Sequence, residues 1–285
     1  KDNKQELSLS DGFVITVLFW IVLSVSGSIP FILFGFGVVD SFFESMSGIT
    51  TTGATVIAGL DDLPKSLLIY RQLLQWLGGM GLIVLAIAVM PLLGIGGGQL
   101  FKTQTPGPMS EQRLTPRITS TARALWSIYF VLTVLCIFAY RLAGMSYFDA
   151  VSHAFSTVSI GGFSTHDLSI GFFDSLSIEI VCITFMLLSA MSFAVHYSAI
   201  YRKQVLKYFY DPELRFFVSL LIVILGLVCL SLFANDIDNP IRSGLFQTVS
   251  ILTTTGFLTD EYSSWPAYIS FMLLVGAFIG ACSGS

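Results

Sequence analysis

The chain contains three copies of one short pattern, each placed between apolar segments long enough to cross a membrane. The copies align on a glycine that follows a run of Thr, Ser or Ile. The first reads ESMSGITTTGAT, the second HAFSTVSIGGFST and the third QTVSILTTTGFLT. The aligned glycines are Gly53, Gly162 and Gly256. Each interval between them fits two membrane crossings and one re-entrant loop.

The pattern predicts a short helix that ends in an extended segment. We predict Asp40, Asp149 and Ser243, each thirteen positions before its glycine, as the capping residues of the short helices. Branching at Cβ makes a run of threonines a poor continuation of a helix. Glycine accepts positive φ and lets other backbone approach closely. Such segments build ion pores in which backbone carbonyls replace the hydration shell of the ion.

Composition places the chain in a membrane. Hydrophobic residues make up 54% of it and charged residues 11%, with 25 Phe, and its mean hydropathy is +0.80. A soluble domain carries roughly twice that charge. With 18 acidic and 14 basic residues, the chain shows no sign of a nucleic-acid partner. We predict an all-α polytopic membrane protein.

Six apolar spans divide the chain, at 12–36, 66–90, 119–144, 175–200, 212–234 and from 267 onward. Most basic residues lie in the connections away from the glycine loops, so the positive-inside rule places the loops outside. The predicted organisation is a cytoplasmic linker 1–11, a first pore unit 12–93, a cytoplasmic connection 94–118, a second unit 119–200, a connection 201–211 and a third unit 212–285.

Acidic residues crowd the outer face near the loops. This pattern has two interpretations, a vestibule that concentrates cations or an ordinary solvated surface. The acidic residues are Asp61, Asp62, Asp167, Asp174, Asp236, Asp238, Asp260 and Glu261.

Histidines and cysteines show no metal-ligand spacing. The histidines (His153, His166 and His196) are dispersed, which disfavours a three-histidine site. The four cysteines, Cys136, Cys182, Cys229 and Cys282, lie in apolar segments and are interpreted as small packing residues.

The tandem loops resemble those of the Trk/Ktr/HKT superfamily of potassium transporters, most closely the membrane subunit of bacterial Trk systems. Further matching stretches are LDDLPK from Leu60, RQLLQWLGGMG from Arg71, TPGP from Thr105 and GACSGS from Gly280. The resemblance implies helix–re-entrant loop–helix units around a pseudo-fourfold pore. Three units are present in this chain, and a fourth is expected but absent from it.

The resemblance also implies the site residues. Potassium is the implied transported ion, because a glycine stands at the filter position of every unit present, and no cofactor is expected. The implied filter residues are Thr50, Thr51, Thr52, Gly53, Ser159, Ile160, Gly161, Gly162, Thr253, Thr254, Thr255 and Gly256. An implied intramembrane gate consists of Gly280, Ala281, Cys282, Ser283, Gly284 and Ser285.

The implied setting is the bacterial inner membrane, with a homodimer gated by a TrkA-type cytoplasmic nucleotide-binding subunit. The basic segments 99–123 and 201–215 are the candidate docking surface, although ordinary positive-inside charge also explains them. A sodium-coupled or sodium-permeable transporter is the alternative within the superfamily. The sequence does not distinguish a channel from a symporter. A membrane enzyme or a structural scaffold is the alternative from another class; Glu44 and Glu179 have no evident His or Cys partner for enzyme chemistry.

Overall fold

The computed structural model describes residues 9–81, 118–260, 262 and 265–280. Within these ranges the chain forms α-helices and no β-strand, which confirms the predicted all-α class. Three helices contain apolar stretches of membrane-crossing length, Val14–Phe34, Arg123–Leu142 and Pro212–Ala234. The helices are α1 Leu9–Phe34, α2 Val38–Ile49, α3 Lys65–Gly79, α4 Ile118–Leu142, α5 Tyr147–Val158, α6 Leu176–Ala190, α7 Phe193–Tyr201, α8 Lys207–Tyr210, α9 Pro212–Ala234, α10 Pro240–Leu252 and α11 Ala267–Ile279.

One arrangement occurs three times: a long helix, a short helix, a loop and a second helix. We call these unit 1 (α1–α3), unit 2 (α4–α6) and unit 3 (α9–α11), with loop 1 at residues 50–56, loop 2 at 159–165 and loop 3 at 253–259. The short helices have 12, 12 and 13 residues. At 1.5 Å per residue they are about 20 Å long, less than the hydrocarbon thickness of about 30 Å.

The units are joined in sequence by the same kind of contact. The second helix of unit 1, α3, packs on the short helix α5 of unit 2. The second helix of unit 2, α6, likewise packs on the short helix α10 of unit 3. This repeated contact arranges the three loops in order, with loop 2 between the other two.

The predicted capping residues are wrong in all three short helices, because each helix begins earlier. The N-caps are Gly37, Ser146 and Asn239. Ser146 accepts a hydrogen bond from the backbone N–H of Asp149, so Asp149 lies in the first turn, where a carboxylate is favoured by the helix dipole. In α10, Pro240 at the first helical position provides the start signal.

The fourth predicted span is not one continuous helix. α6 ends at Ala190, and the following helix is bent from it by 92°. The side chain of His196 reaches back from α7, and its Nε2–H donates to the carbonyl of Leu188, 2.8 Å away. This hydrogen bond satisfies one of the carbonyls left unpaired at the end of α6. The phenol of Tyr208 then donates to His196 Nδ1 at 2.7 Å.

Close packing explains the glycines of α3. A Cβ on Gly78 would collide with the carbonyl of Ile49 at the end of α2. A Cβ on Gly79 would lie 2.9 Å from Cβ of Ser159, at the start of loop 2. These glycines let α3 pack closely against the end of α2 and the start of loop 2. The second predicted span continues beyond residue 81, outside the described residues.

Candidate functional site

All three short helices end in the same hydrogen-bonded turn. In loop 1 the N–H of Thr52 donates to the carbonyl of Ser47 at 2.9 Å, and the N–H of Thr51 donates to Gly48 at 3.0 Å. These two bonds form a Schellman motif, which satisfies the last carbonyls of the helix. The same pair of bonds recurs at Gly161–Ser156 with Ile160–Thr157, and at Thr255–Ser250 with Thr254–Ile251.

The left-handed residue of this motif is β-branched in every loop. Thr51, Ile160 and Thr254 have φ of 55°, 56° and 62°. The position is usually occupied by glycine, and a β-branched residue there is a strained outlier. Each costs about 1–3 kcal/mol, which the surrounding contacts must offset.

A second left-handed residue follows two positions later, and here the aligned glycine is required. Gly53, Gly162 and Gly256 have φ of 77°, 80° and 84°. A Cβ on Gly53 would collide with the carbonyl oxygen of Gly161 in loop 2, and one on Gly162 would collide with the carbonyl oxygen of Thr255 in loop 3. Each glycine therefore admits a backbone carbonyl of the next loop.

In the described part of the chain, the contact between a glycine and the carbonyl of a following loop is not repeated at Gly256 of loop 3. No described atom lies within 4 Å of a Cβ built on Gly256. The residues of loop 2 are mostly buried, whereas Thr50 and Thr52 of loop 1 and Thr254 of loop 3 are exposed. Among the described residues, loop 2 is thus enclosed by its neighbours, and loops 1 and 3 each have an open side.

A buried polar side chain nine positions before each glycine anchors the loop from below, a role that the sequence reasoning missed. Glu44 accepts hydrogen bonds from Thr55 Oγ1 at 2.9 Å and from the N–H of Val56 at 3.2 Å. His153 Nε2 accepts from the hydroxyl of Ser164 at 2.9 Å. Glu44 and His153 are fully buried.

The corresponding residue in unit 3 is Gln247, also fully buried. Its Nε2 donates to the carbonyl of Asp260 at 3.1 Å. The aligned sequence contained a signal for these anchors, a polar residue at the same position of each copy. Their chemistry differs between copies, as carboxylate, imidazole and amide, and this difference concealed the equivalence.

Arg71 of α3 joins loops 1 and 2 from behind. Its guanidinium is fully buried and forms an ion pair with Glu44, with Nε 2.7 Å from Oε1. It also donates to the carbonyl of Ser164 at 3.1 Å and to Thr55 Oγ1 at 3.1 Å. The ring of Phe163 lies 4.4 Å from its guanidinium carbon. Since a buried charge needs both a counter-charge and hydrogen bonds, this network fixes Arg71 in one position.

Side chains brace the loops in two different ways. In loop 1 the hydroxyls of Thr50 and Thr52 are hydrogen bonded at 2.7 Å, and Thr253 and Thr255 form the same pair in loop 3 at 2.8 Å. In loop 2 the residue aligned with Thr52 and Thr255 is Gly161, which has no hydroxyl. Gln75 of α3 supplies the hydrogen bonds for this loop. Its Nε2 donates to the carbonyl of Gly161 at 2.6 Å, and its Oε1 accepts from the N–H of Phe163 at 3.2 Å.

A cavity of about 430 Å³ borders the first two loops. This volume accommodates several water molecules. Its lining includes hydroxyl and backbone groups of both loops together with aromatic rings of α1 and α4. The lining residues are Thr16, Trp20, Thr50, Thr51, Gly78, Gly79, Tyr129, Val158, Ser159, Ile160 and Phe193.

On the other side of the loops, His166 links the segments that follow loops 1 and 2. Its Nδ1 lies 2.5 Å from Asp61, its Nε2 lies 3.4 Å from Asp149, and its ring stacks on Phe172. Partial burial alone would lower the pKa of His166, but the neighbouring carboxylates of Asp149 and Asp61 outweigh it and raise that pKa. The hydrogen bond from His166 lowers the pKa of Asp61. Asp167 completes the link by accepting from the N–H of Gly59 at 3.0 Å.

The structure does not bring the three histidines together. The rings of His153 and His166 are 6.4 Å apart, whereas His196 binds Leu188 and Tyr208. In the described part of the chain, no group of His, Cys, Asp or Glu has the arrangement of a metal site. Cys136 and Cys182 are buried free thiols and Cys229 is a half-buried one; Cys282 lies outside the described residues.

The chain leaves the helical conformation at the start of the predicted gate. α11 ends at Ile279, and Gly280 is extended with φ −69° and ψ 176°. A Cβ on Gly280 would collide with the carbonyl of Leu252, the residue immediately before loop 3. Of the predicted gate residues only Gly280 is described; Ala281, Cys282, Ser283, Gly284 and Ser285 lie outside the described residues.

Comparison with known proteins gives one consistent result. A family model described as TrkH, cation transport protein, matches residues 1–285. The Trk system potassium uptake protein TrkH of Halomonas elongata is 51% identical over 99% of this chain and 60% of its own length. TrkH of Escherichia coli is 46% identical over 100% of the chain and 60% of its own length.

A solved structure agrees. The crystal structure of the potassium transporter TrkH from Vibrio parahaemolyticus superimposes with a TM-score of 0.85 at 48% identity, covering 100% of this chain and 59% of that one. The chain therefore spans about 60% of the length of these relatives.

Proposed function

Because this chain belongs to the TrkH family of cation transport proteins, we propose that it forms most of a potassium-uptake pathway across the bacterial inner membrane. The observation that carries this proposal is the ordered contact between loops. Each of Gly53 and Gly162 admits a backbone carbonyl of the next loop. Three loops with one backbone geometry thus place neutral oxygens side by side, as a filter for a partly dehydrated monovalent cation requires.

The proposed filter is built from carbonyls of 50–53, 159–162 and 253–256. These segments contain no carboxylate, and neutral oxygens hold a potassium ion without trapping it. The cavity beside loops 1 and 2 is roomy enough for a hydrated ion. Acidic residues on the opposite side of the loops, Asp61 and Asp167 among them, attract cations towards the filter.

The gap beside Gly256 is the proposed position of a fourth unit. Loop 3 has the same backbone geometry as the other two loops. Gly256, however, has no described neighbour to admit. A fourth loop there would give Gly256 the carbonyl contact that Gly53 and Gly162 have.

The test of the filter is Gly53→Ser in the complete transporter. The added side chain would collide with the Gly161 carbonyl and would also be held at positive φ. The K⁺/Na⁺ uptake ratio in proteoliposomes is expected to fall. Gly59→Ser is the matched control, because Gly59 also has positive φ but no neighbouring atom of the described residues would meet its Cβ. Equal ratios in wild type and Gly53→Ser would overturn the filter assignment.

Sodium handling separates the alternatives within the superfamily. Potassium uptake that requires a sodium gradient would make the protein a sodium-coupled symporter. Uptake driven by the potassium gradient alone would make it a channel-like uniporter. Measuring flux with each gradient set separately decides between them.

We propose a gate at residues 280–285. Support comes from the end of α11 at Ile279 and from the contact of Gly280 with Leu252, directly before loop 3. Small side chains let backbone enter a water-filled path, where non-helical structure is tolerated. Deleting part of 281–285 is expected to raise potassium flux without a partner. Deletion variants that assemble yet conduct no faster than wild type would refute the gate.

We further propose that a TrkA-type nucleotide-binding ring docks on the basic segments 99–123 and 201–215, and that the transporter is a homodimer. In the second segment Arg202 and Lys203 are exposed; 99–117 lies outside the described residues. Reversing Arg113 and Arg117 to Glu is expected to weaken co-purification with the ring at moderate salt, while mass measurement in detergent tests the dimer. Unchanged binding would place the interface elsewhere.

A further inference from the structure

We propose that Gln75 is a positioning residue for loop 2 that sets the preference for potassium over sodium. The proposal rests on the filter function proposed above. It names a side chain outside the filter segments, on the second helix of the neighbouring unit.

The geometry of Gln75 leaves its amide one orientation. Nε2 donates to the carbonyl of Gly161 at 2.6 Å, and Oε1 accepts from the N–H of Phe163 at 3.2 Å. A carbonyl only accepts and an N–H only donates, so the two partners determine which end of the amide faces which group. The side chain is fully buried. Gln75 therefore holds the backbone on both sides of Gly162.

This contact explains a difference between the three aligned copies. The residue before the filter glycine is Thr52 in loop 1 and Thr255 in loop 3, but Gly161 in loop 2. A Cβ on Gly161 would collide with the amide of Gln75. Gly161 has no left-handed φ that would require glycine. It is the space taken by Gln75, rather than the backbone conformation, that requires glycine here.

Gln75 supplies hydrogen bonds that brace loop 2, which has no pair of threonine hydroxyls of its own. Loops 1 and 3 are closed by their own threonine pairs. In loop 2 the corresponding hydroxyl, that of Ser159, donates to the carbonyl of Ser156 at 3.1 Å. The brace of loop 2 thus comes from α3, so the shape of this loop depends on the position of the adjacent unit.

The braced atom is one of the proposed ion ligands. The Gly161 carbonyl oxygen is also the atom that Gly53 of loop 1 admits. A hydrogen bond to a carbonyl fixes its direction and shares its lone pairs, and both affect how strongly it binds a cation. Losing this bond frees the carbonyl to adapt to a smaller ion.

The experiment measures K⁺ and Na⁺ uptake by the complete transporter in proteoliposomes. Gln75→Met keeps the length and volume of the side chain but removes both hydrogen bonds. The K⁺/Na⁺ ratio is expected to fall about twofold to tenfold, the effect of losing a hydrogen bond. A wild-type ratio in Gln75→Met would overturn the proposal. Absence of potassium-selective uptake in the wild type would instead overturn the proposed function.

Gln72→Met is the matched control. Gln72 lies on the same helix and is equally buried, and its amide has no hydrogen-bond partner among the described residues. Gln72→Met is expected to leave the ratio unchanged. An equal fall in both variants would overturn the proposal, because it would mean that any polar residue of α3 matters.

A second variant covers the case in which Gln75→Met does not assemble. Gln75→Ala combined with Gly161→Thr frees the space of the amide and gives loop 2 a hydroxyl opposite Ser159. The double variant is expected to assemble and to be more selective than Gln75→Ala alone. A double variant no better than the single one would overturn the proposed brace.

Discussion

At the loops, units 1 and 2 meet through buried side chains of α3, whereas units 2 and 3 meet through backbone groups and an ion pair between a partly exposed Arg242 and a buried Glu179. At the first boundary Arg71 and Gln75 are fully buried and bond to loop 2. At the second, the N–H of Gly171 donates to the carbonyl of Leu258 at 3.0 Å, and a third of the Arg242 side chain is exposed.

The difference shows where substitutions have most effect. Both boundaries bring a glycine at positive φ, Gly53 or Gly162, against a carbonyl of the next loop. At the first, however, the alignment depends on specific buried side chains, and an unpaired polar group costs most where it is buried. At the second, main-chain hydrogen bonds survive most substitutions.

The largest expected effect is that of Arg71→Met. It leaves the carboxylate of Glu44 buried without its counter-charge, which costs about 3–5 kcal/mol. Thermal unfolding in detergent measures the loss of stability. Arg141→Met is the control, because Arg141 is exposed and its loss is expected to cost about 1 kcal/mol or less.

The double variant Arg71→Met with Glu44→Gln tests the reason for this loss. Removing both charges is expected to recover part of the stability lost in Arg71→Met. A double variant as unstable as the sum of the two single ones would show that the pair is not coupled.

Next in size is Gly162→Ala, which tests the contact between loops 2 and 3. The new methyl group would be held at φ 80° and would collide with the carbonyl of Thr255. Gly256→Ala has the same backbone penalty of about 1–2 kcal/mol, but its methyl group would meet no neighbouring atom in the described part of the chain. Gly162→Ala should therefore be the less stable and less selective of the two. Identical behaviour would mean that only the backbone conformation matters.

A smaller effect is expected for Arg242→Gln at the second boundary. Arg242 donates to Glu179 at 2.8 Å and to Asp174 at 3.0 Å. Glu179 is buried, but the amide of Gln can still donate a hydrogen bond to it, and part of Arg242 already reaches solvent. The loss is therefore expected to be about 1–2 kcal/mol, less than for Arg71→Met. Unfolding measured under the same conditions compares the two, and a loss as large as that of Arg71→Met would remove the contrast between the boundaries.

The smallest expected effect is the pH dependence of the link that His166 forms between units 1 and 2. The groups that face His166 are Asp61, Asp149 and the ring of His153. The pKa of His166 is raised in the folded protein, so its contribution is complete below 6.5 and is lost as pH rises through the folded value. Because the pKa of Asp61 is lowered in the folded protein, the stability that its carboxylate contributes is lost only at pH values below 3.8.

Comparing wild type with His166→Gln measures this contribution. The difference in unfolding temperature should be largest at mildly acidic pH and should shrink as pH rises through the raised pKa. A difference that does not change with pH would mean that His166 acts by packing on Phe172 alone.

The sequence predicted where the three short helices end, at Ile49, Val158 and Leu252, because that constraint is local. A β-branched run followed by glycine sets the backbone by itself, and all three copies adopt the same turn. The capping residues were wrong because Gly37, Ser146 and Asn239, all further upstream, take the N-cap position. The bend after Ala190 was missed, since a hydrophobic run carries no mark of a break that a distant residue, His196, stabilises.

The supporting side chains could not be assigned from one sequence. Arg71 and Gln75 are visible as polar residues in an apolar span. Their partners, however, lie about ninety positions away in the next unit. Which polar residue faces which loop is decided by the packing of α3 on α5, and periodicity does not contain that information.

The left-handed β-branched residues have a consequence for protein engineering. Replacing Thr51, Ile160 or Thr254 with glycine would relieve backbone strain, and a search for heat-resistant variants would select such changes. Glycine would also give each turn many more accessible conformations. In the proposed filter, a stabilised variant of this kind would bind ions less discriminately, because a loop that adapts to several ionic radii no longer rejects any of them. If these loops form the proposed filter, selection for thermal resistance and selection for ion discrimination act in opposite directions on these three residues.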